Sequence, residues 1–242
     1  MVDPATEQPQ AASQREAEIA DRLHDIEARI RAASERAGRS RAAITVVAVS
    51  KGFEASDIMA ARKAGQADFG ESRSRALVRK SEQVGQGVRW HFVGQLQRNK
   101  VKEVVGRVSL VHSVDRLTLA QSLGERALAA GRVQRVLVQV DLGSPRDGSR
   151  GGCLLDGAPQ LVARVRDLEG VACEGLMTVP PQDADARSCF ATLRALRDEL
   201  RSRFPEVQHL SMGMSNDFEV AIEEGATIVR LGTAVFGPRR SS

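Results

Sequence analysis

Residues 46–52 read Val46-Val47-Ala48-Val49-Ser50-Lys51-Gly52, an apolar run that ends in a lysine and a glycine. Four consecutive apolar residues, three of them β-branched, predict a strand that is covered on both faces. Lys51 stands where this strand should end, although lysine is among the residues least often buried. One interpretation is a reactive amine in a partly dry pocket that condenses with an aldehyde. The other is an ordinary strand-end lysine whose stem covers apolar surface while its ammonium reaches water.

Strand and helix patterns alternate along the rest of the chain. The predicted strands cover residues 44–50, 67–70, 89–94, 108–113, 135–142, 173–179, 209–212 and 227–231. Eight βα units close a (β/α)8 barrel of about 250 residues, and this chain has 242. A doubly wound open sheet is the alternative, but the first βα turn lacks the G-x-G-x-x-G pattern of most dinucleotide-binding versions. The sequence therefore predicts an α/β fold with a single (β/α)8 TIM barrel.

The residues before the first strand form a separate pattern. Residues 1–13 are rich in Pro, Gln, Ala and Glu, which predicts a disordered tail. Residues 13–37 carry Ile19, Leu23, Ile26 and Ile30 at spacings of three and four, which predicts an extra N-terminal amphipathic helix. Because this helix precedes the first strand, it could lie across one end of the barrel. The predicted barrel domain covers residues 14–242.

The composition limits the classes of function. No apolar run approaches the roughly 20 residues that cross a bilayer. Residues 1–20 are polar and acidic, so we expect no secretory signal and a cytoplasmic protein. The three cysteines have no CxxC spacing and the four histidines no HxxxH spacing, so no metal site is predicted. A net charge of +4 with 3% aromatic residues argues against a nucleic-acid partner.

The active face of such a barrel lies at the carboxyl ends of its strands. Loops after strands seven and eight often bind phosphate there, and here they contain Ser211, Met212, Gly213, Ser215, Arg230, Gly232 and Thr233. A helix that opens at Asn216, with Glu219 completing a capping box, would present backbone N–H groups to an anion. The alternative is that Ser215 and Asn216 only cap a helix and that Gly232 only makes a tight turn.

A reactive lysine and a phosphate site on neighbouring strands would bind a ligand that carries an aldehyde and a phosphate. Pyridoxal 5′-phosphate has this shape. A phosphorylated aldehyde or ketone substrate, as in Schiff-base aldolases, fits equally well. The residues considered singly do not separate these two ligands.

Seven motifs follow one another along the chain. They are Ala48-Val49-Ser50-Lys51, Phe69-Gly70-Glu71, Trp90-His91-Phe92-Val93-Gly94-Gln95-Leu96-Gln97-Arg98-Asn99-Lys100, His112-Ser113-Val114-Asp115-Arg116-Leu117, Gly175-Leu176-Met177, Leu210-Ser211-Met212-Gly213-Met214-Ser215 and Val229-Arg230-Leu231-Gly232-Thr233-Ala234-Val235-Phe236-Gly237. Together they resemble the pyridoxal-phosphate homeostasis protein family, the YggS/PROSC group. Its members are lone barrels of the alanine-racemase type, which is fold type III among pyridoxal-phosphate proteins.

The resemblance implies the site residues. Lys51 would carry the cofactor as an internal aldimine, Ser211 and Met212 would lie close to the ring, and the phosphate would be surrounded by Ser215, Arg230, Gly232 and Thr233. Family members carry and regulate the cofactor pool and affect amino-acid and keto-acid balance, without an established reaction. The resemblance therefore implies no catalytic residue, a monomer or weak dimer, and pyridoxal phosphate and its apo-enzymes as partners.

This chain departs from the family pattern at three places. Ser72 replaces the usual asparagine after the second strand and is followed by Arg73 rather than tyrosine, although a serine hydroxyl can still donate to the cofactor. Asp141 replaces an asparagine at strand five. The usual Lys-Ser-Gly of the next loop is Ser149-Arg150-Gly151.

An amino-acid racemase is the alternative function. Two-base racemases that resemble this barrel use a tyrosine from an added β-domain as the second base. The chain contains no tyrosine and ends a few residues after the eighth predicted strand. We therefore expect at most a weak racemase-like or transamination-like side activity.

Overall fold

The computed structural model describes residues 4–143 and 151–238, with side chains from Ala12 onward. In chain order its strands are β1 (Thr45–Val49), β2 (Asp68–Glu71), β3 (Arg89–Phe92), β4 (Leu110–Val114), β5 (Gln134–Asp141), β6 (Cys153–Leu154), β7 (Val171–Met177), β8 (His209–Ser211) and β9 (Ile228–Leu231). All pairings are parallel. The short strand β6 pairs with β5 outside the main sheet.

The other eight strands close on themselves. The sheet runs β4-β3-β2-β1-β9-β8-β7-β5, and a further pairing of β4 with β5 joins its two ends. At the seam between the first and last strands, Val47 lies opposite Arg230 and Ala48 lies opposite Leu231. The predicted (β/α)8 barrel is confirmed. Its consequence for the site is that the loops after β1 and β9 are neighbours.

Helices surround the barrel. They are α1 (Pro4–Arg36), α2 (Ala55–Lys63), α3 (Ser74–Val84), α4 (Val101–Val104), α5 (Leu117–Leu128), α6 (Ala158–Arg166), α7 (Ala186–Arg203), α8 (Phe218–Glu223) and α9 (Thr233–Phe236). Short 3-10 turns cover Arg41–Ala43, Arg98–Lys100 and Leu155–Gly157. In the described parts of the chain, no helix is both long and apolar enough to cross a bilayer.

Helix α1 begins earlier than the composition predicts. It starts at Pro4 and so includes residues 4–13 of the tail, whose disorder stays a prediction. The physical reason is that Ala, Gln and Glu are good helix formers, and proline is tolerated in a first helical turn. The same composition that cannot form a core can therefore extend a helix that is anchored elsewhere.

The position of α1 also differs from the expectation that it could lie across one end of the barrel. It packs beside the barrel, in contact with α2, α8 and α9. Because α9 has only four residues, the last βα unit lacks a full helix over the β1–β9 seam. Helix α1 takes that place and buries Ile19, Ile26 and Ile30.

The apolar core has two layers. The larger cluster fills the space between the barrel and the helices. A smaller cluster lies inside the barrel and consists of Val47, Leu110, Leu137, Met177 and Ile228. Polar residues share this interior, and His91, His112, Ser211 and Arg230 are all buried. Buried polar groups require hydrogen-bond partners, so these four residues indicate a part of the barrel interior with a role besides packing.

Candidate functional site

Lys51 occupies the turn that follows β1. The chain turns here through Gly52, whose φ of +81° is readily adopted only by glycine. Lys51 is exposed, and no hydrogen bond or ion pair within the described residues holds its ammonium. This exposure matches the second interpretation, in which the ammonium reaches water, and not the partly dry pocket of the first. The amine is nevertheless accessible to a ligand at the carboxyl end of the barrel.

A buried ion pair fixes the backbone next to Lys51. The Lys80 ammonium on α3 lies 2.6 Å from a Glu71 carboxylate oxygen and donates at 2.7 Å to the carbonyl of Ser50. The second Glu71 oxygen accepts the Ser72 N–H at 2.8 Å. Sequence reasoning missed Lys80, although its place between Leu77 and Val84, which share the buried face of α3, marks it as a buried cation. The pair holds the turns after β1 and β2 together.

The loops after β8 and β9 are joined to each other. The Ser215 hydroxyl accepts the N–H of Ala234 at 3.1 Å, and the Gly213 carbonyl accepts the N–H of Arg230 at 2.9 Å. No acceptor among the described residues takes the backbone N–H groups of Ser215, Asn216 and Thr233. Ser215 and Asn216 lie in the turn before α8, and Thr233 is the first residue of α9. Unpaired N–H groups that lie close together favour an anion.

The anion cradle is defined as Ser215, Asn216, Gly232 and Thr233, and it adjoins β1, the strand before Lys51. A Cβ atom added to Gly232 would lie 3.4 Å from the carbonyl oxygen of Val49. The cradle and the Lys51 turn therefore belong to adjacent strands. The structure brings together the rim residues that the sequence predicts.

The predicted capping box of Asn216 and Glu219 is wrong. Helix α8 begins at Phe218, and the Asp217 carboxylate accepts the N–H of Met214. Glu219 forms an ion pair with Arg29 on α1, at 3.0 Å. The reason is tertiary, because α1 packs against α8 and presents an arginine to the first turn of that helix.

Arg230 points into the barrel and is only 5% exposed. Its guanidinium donates to the Ser211 hydroxyl at 2.8 Å and to the Thr178 carbonyl at 2.8 Å. No carboxylate of the described chain pairs with it. Burial disfavours the charged form and lowers the pKa of Arg230 to about 10, although the charge of Asp217 acts in the opposite direction. Arg230 and Ser211 thus form an interior pair beneath the anion cradle.

The remaining predicted residues are not all in this region. Met212 is fully buried in the layer between barrel and helices, so its side chain does not join Ser211 in the interior. Ser72 is half-buried at the end of β2, beside a cavity of about 320 Å³ that is also lined by Gln95 and Lys100. Asp141 accepts the N–H of Gly143 at 3.0 Å and shapes the start of the next loop. Ser149 and Arg150 lie outside the described residues.

Sequence reasoning missed the interior partners of Ser211. The His112 ring lies 2.8 Å from the Ser211 hydroxyl, and His91 lies 2.9 Å from His112. A signal was available, because alternation along β3 and β4 places His91 and His112 on one face of each strand, and only the inner face can bring them together. Burial lowers the pKa of His112 well below its ordinary value, so this imidazole is neutral.

Comparisons with known proteins agree with this geometry. The family model of the alanine racemase N-terminal domain matches residues 22–240. A pyridoxal phosphate homeostasis protein of Aquifex aeolicus (strain VF5) is 41% identical over 225 residues, which cover 91% of this chain and 98% of that protein. This chain belongs to the pyridoxal phosphate homeostasis protein family. The predicted resemblance is confirmed.

Solved structures extend the comparison. PipY of Synechococcus elongatus PCC7942, a structure with pyridoxal phosphate bound, is 32% identical with a TM-score of 0.79, and the match covers 90% of this chain and all (100%) of PipY. Alanine racemase of Corynebacterium glutamicum is 15% identical with a TM-score of 0.65, and the match covers 89% of this chain and 62% of the racemase. The second likeness establishes only that this chain shares its barrel fold with that racemase.

Proposed function

We propose that this protein binds pyridoxal 5′-phosphate and takes part in intracellular cofactor homeostasis, as a carrier or buffer rather than as an efficient catalyst. Two findings on relatives support this. The Aquifex relative is named a pyridoxal phosphate homeostasis protein, and PipY has been solved with the cofactor bound. The observation of this chain that carries the proposal is the amine of Lys51 on the strand adjacent to an anion cradle.

The residues present fit the cofactor. The Lys51 amine would condense with the aldehyde, with loss of one water molecule, to give a Schiff base. Backbone N–H groups and hydroxyls at Ser215 and Thr233 would hold the phosphate. Ser211 would lie toward the ring, and the Ser72 hydroxyl would replace the amide of the family asparagine. The resemblance implies that Arg230 is beside the phosphate, but we propose that it lies toward the ring, because its guanidinium donates to Ser211 and to the Thr178 carbonyl inside the barrel. Met212 would contribute only through its backbone, because its side chain is packed elsewhere.

A racemase is not favoured by any feature of the site. Efficient racemisation needs a proton donor and acceptor on opposite faces of the substrate carbon. The tyrosine that serves as the second base in related racemases has no counterpart in this sequence, which contains none. A racemase assay with a panel of amino acids tests this directly, and turnover at ordinary enzymatic rates would contradict the carrier function.

Lys51→Ala is the decisive variant for the cofactor linkage. We expect the wild-type protein to show visible absorption after incubation with pyridoxal phosphate, and borohydride reduction to fix the adduct on the peptide that contains Lys51. The Lys51→Ala protein should lose both signals and keep its far-UV circular dichroism spectrum, because this exposed side chain supports no core. Lys100→Ala is the matched control, since Lys100 also lies at this end of the barrel. An adduct on Lys100, or none at all, would remove the proposal.

The wider cellular role stays a prediction from the sequence and the resemblance. We expect a cytoplasmic protein that delivers cofactor to apo-enzymes. Incubation of the loaded protein with an apo-transaminase, followed by assay of the transaminase, measures delivery. Activation no faster than by the same amount of free pyridoxal phosphate would leave buffering as the role.

A further inference from the structure

A chain of buried hydrogen bonds crosses the inside of the barrel. The Ser211 hydroxyl lies 2.8 Å from Nδ1 of His112, and Nε2 of His112 lies 2.9 Å from Nδ1 of His91. Nε2 of His91 lies 3.0 Å from a carboxylate oxygen of Asp68. All four residues are buried. We call Asp68, His91, His112 and Ser211 the histidine chain.

The groups at the two ends of the histidine chain determine which atom donates and which accepts in each of its hydrogen bonds. Arg230 can only donate, and it donates to the Ser211 hydroxyl. Asp68, as a carboxylate, can only accept. The Ser211 hydroxyl therefore donates to Nδ1 of His112, and both imidazoles carry their proton on Nε2. Each hydrogen bond has one donor and one acceptor only in this arrangement of two neutral rings.

The histidine chain joins the two ends of the barrel. Asp68 is the first residue of β2 and pairs with Arg89, the first residue of β3, at 2.6 and 2.8 Å. The Arg89 side chain is 63% exposed, and the pair borders a cavity of about 630 Å³ beside α1. Lys51 follows the opposite, carboxyl end of β1. The Asp68 end of the histidine chain is therefore close to solvent, whereas its Ser211 end contacts the buried guanidinium of Arg230.

We propose that the histidine chain positions Arg230 for the cofactor and couples cofactor affinity to the Arg89–Asp68 pair at the opposite end of the barrel. This inference rests on the proposed function. Asp68 accepts a hydrogen bond from Nε2 of His91, so the proton of His91 is on Nε2. Nδ1 of His91 is then free to accept from Nε2 of His112, which places the proton of His112 on Nε2 as well. The Ser211 hydroxyl is then committed to His112, and its lone pairs remain for Arg230. If Asp68 loses its charge, the proton positions on His91 and His112 are no longer fixed, and the Ser211 hydroxyl is no longer committed to donating to His112.

The opposing explanation is that the polar residues only fill the barrel. In that case, substitutions in the histidine chain would lower stability, and the cofactor dissociation constant of the folded fraction would not change. Arg135 offers a matched control. It lies on β5 at the same end of the barrel as Arg89, pairs with Glu174 of the neighbouring strand at 2.6 Å, and has a side chain 48% exposed. Among the described residues, no hydrogen bond or ion pair joins Arg135 to the histidine chain.

The test measures the dissociation constant of pyridoxal phosphate by absorbance titration for wild type, Arg89→Gln, Asp68→Asn and Arg135→Gln. We expect Asp68→Asn to raise the constant about fivefold to tenfold, the scale of one buried hydrogen bond, and Arg89→Gln to raise it about twofold to threefold. Arg135→Gln should match the wild type. Far-UV circular dichroism selects folded variants, and the exposed Arg89 provides a variant that folds if Asp68→Asn does not.

Two further readouts distinguish positioning from packing. Nitrogen-15 NMR of the cofactor-free protein should show His91 and His112 as Nε2–H tautomers, and a proton on Nδ1 of either ring would overturn the proposed direction. His112→Gln, which keeps one donor and one acceptor, should restore at least half of the affinity that His112→Leu loses.

Wild-type protein without a borohydride adduct at Lys51 would overturn the proposed function and this inference together. An intact adduct with equal dissociation constants for Arg89→Gln, Asp68→Asn and Arg135→Gln would overturn this inference alone.

Discussion

Arg230 is a buried cation whose contacts are a hydroxyl and a carbonyl. Taking its guanidinium out of water lowers its pKa to about 10, which corresponds to a cost on the order of 3 kcal/mol. Such a cost persists only where something else compensates it. A ligand rich in electron pairs, such as the proposed cofactor, would supply the missing acceptor. Arg230 is therefore better explained by binding than by folding.

Substitution of Arg230 separates these two roles. We expect Arg230→Gln to weaken binding of pyridoxal phosphate by about 1–3 kcal/mol, the scale of a charge-assisted hydrogen bond. The free energy of unfolding of the cofactor-free protein should change by less than this, because glutamine still donates a hydrogen bond and the buried charge is gone. Absorbance titration and urea unfolding measure the two quantities. Arg39→Gln is the control, since Arg39 is half-buried and donates to the Ile222 carbonyl outside the barrel.

An equal loss of binding and stability in Arg230→Gln would mean that this residue is structural.

At the scale of single residues, the sequence could locate Lys51, Ser215 and Thr233, because each follows shortly after the end of a strand. It could not give the partners of Arg230. The direction of a guanidinium inside a barrel depends on residues of other βα units, and here Ser211 ends β8 whereas Thr178 follows β7.

The elements around Lys51 are held by the buried pair of Glu71 and Lys80. Helix α3 supplies the lysine, β2 supplies the carboxylate, and the carbonyl that Lys80 also binds belongs to Ser50, directly before Lys51. Both side chains are almost fully buried. Removal of one partner from such a pair leaves an unpaired buried charge, whereas removal of both does not. The pair therefore makes α3 a support for the turn that carries Lys51.

Lys80→Met tests this support. We expect it to lower the free energy of unfolding by about 3–5 kcal/mol, since the Glu71 carboxylate then has no cation. The double variant Glu71→Gln with Lys80→Met should recover part of the loss. Urea unfolding measures both. Lys63→Met is the control: Lys63 pairs with Glu16 on the surface, where an ion pair contributes about 0–1 kcal/mol. A loss in Lys80→Met no larger than in Lys63→Met would show that the buried pair contributes no more than a surface pair.

The sequence predicted elements more reliably than their packing. The eight barrel strands were recognisable because parallel strands are buried on both faces and read as apolar runs. The two-residue strand β6 and the place of α1 were not. The apolar stripe of α1 shows that the helix packs, but only the short α9 creates the gap over the β1–β9 seam that α1 covers. That gap is a property of the assembled barrel.

The barrel interior contains a neutral histidine, His112, whose protonation links the stability of the whole protein to pH. Burial lowers the pKa of His112 well below the ordinary value of 6.5, and the nearby charge of Arg230 acts in the same direction. The unfolded chain therefore binds a proton near pH 6.5 that the folded protein does not bind. Stability from this residue is complete above pH 6.5 and is lost as the pH falls below it. The loss has a slope of up to about 1.4 kcal/mol per pH unit.

Unfolding by urea at a series of pH values from 7.5 to about 5 measures this linkage. His112→Gln has no proton to bind at this position, so its stability should fall less steeply with acid than that of the wild type, and the difference between the two proteins should shrink toward pH 5. His24→Gln, on the exposed face of α1, should run parallel to the wild type. Asp68 does not contribute to the change in unfolding free energy between pH 7.5 and about 5. Hydrogen bonds from His91 and Arg89 outweigh its burial and lower the pKa of its carboxyl, so its contribution is lost only in stronger acid. Parallel curves for wild type and His112→Gln would show that His112 takes up its proton in the folded barrel, and the hydrogen-bond direction inferred for the histidine chain would then be wrong.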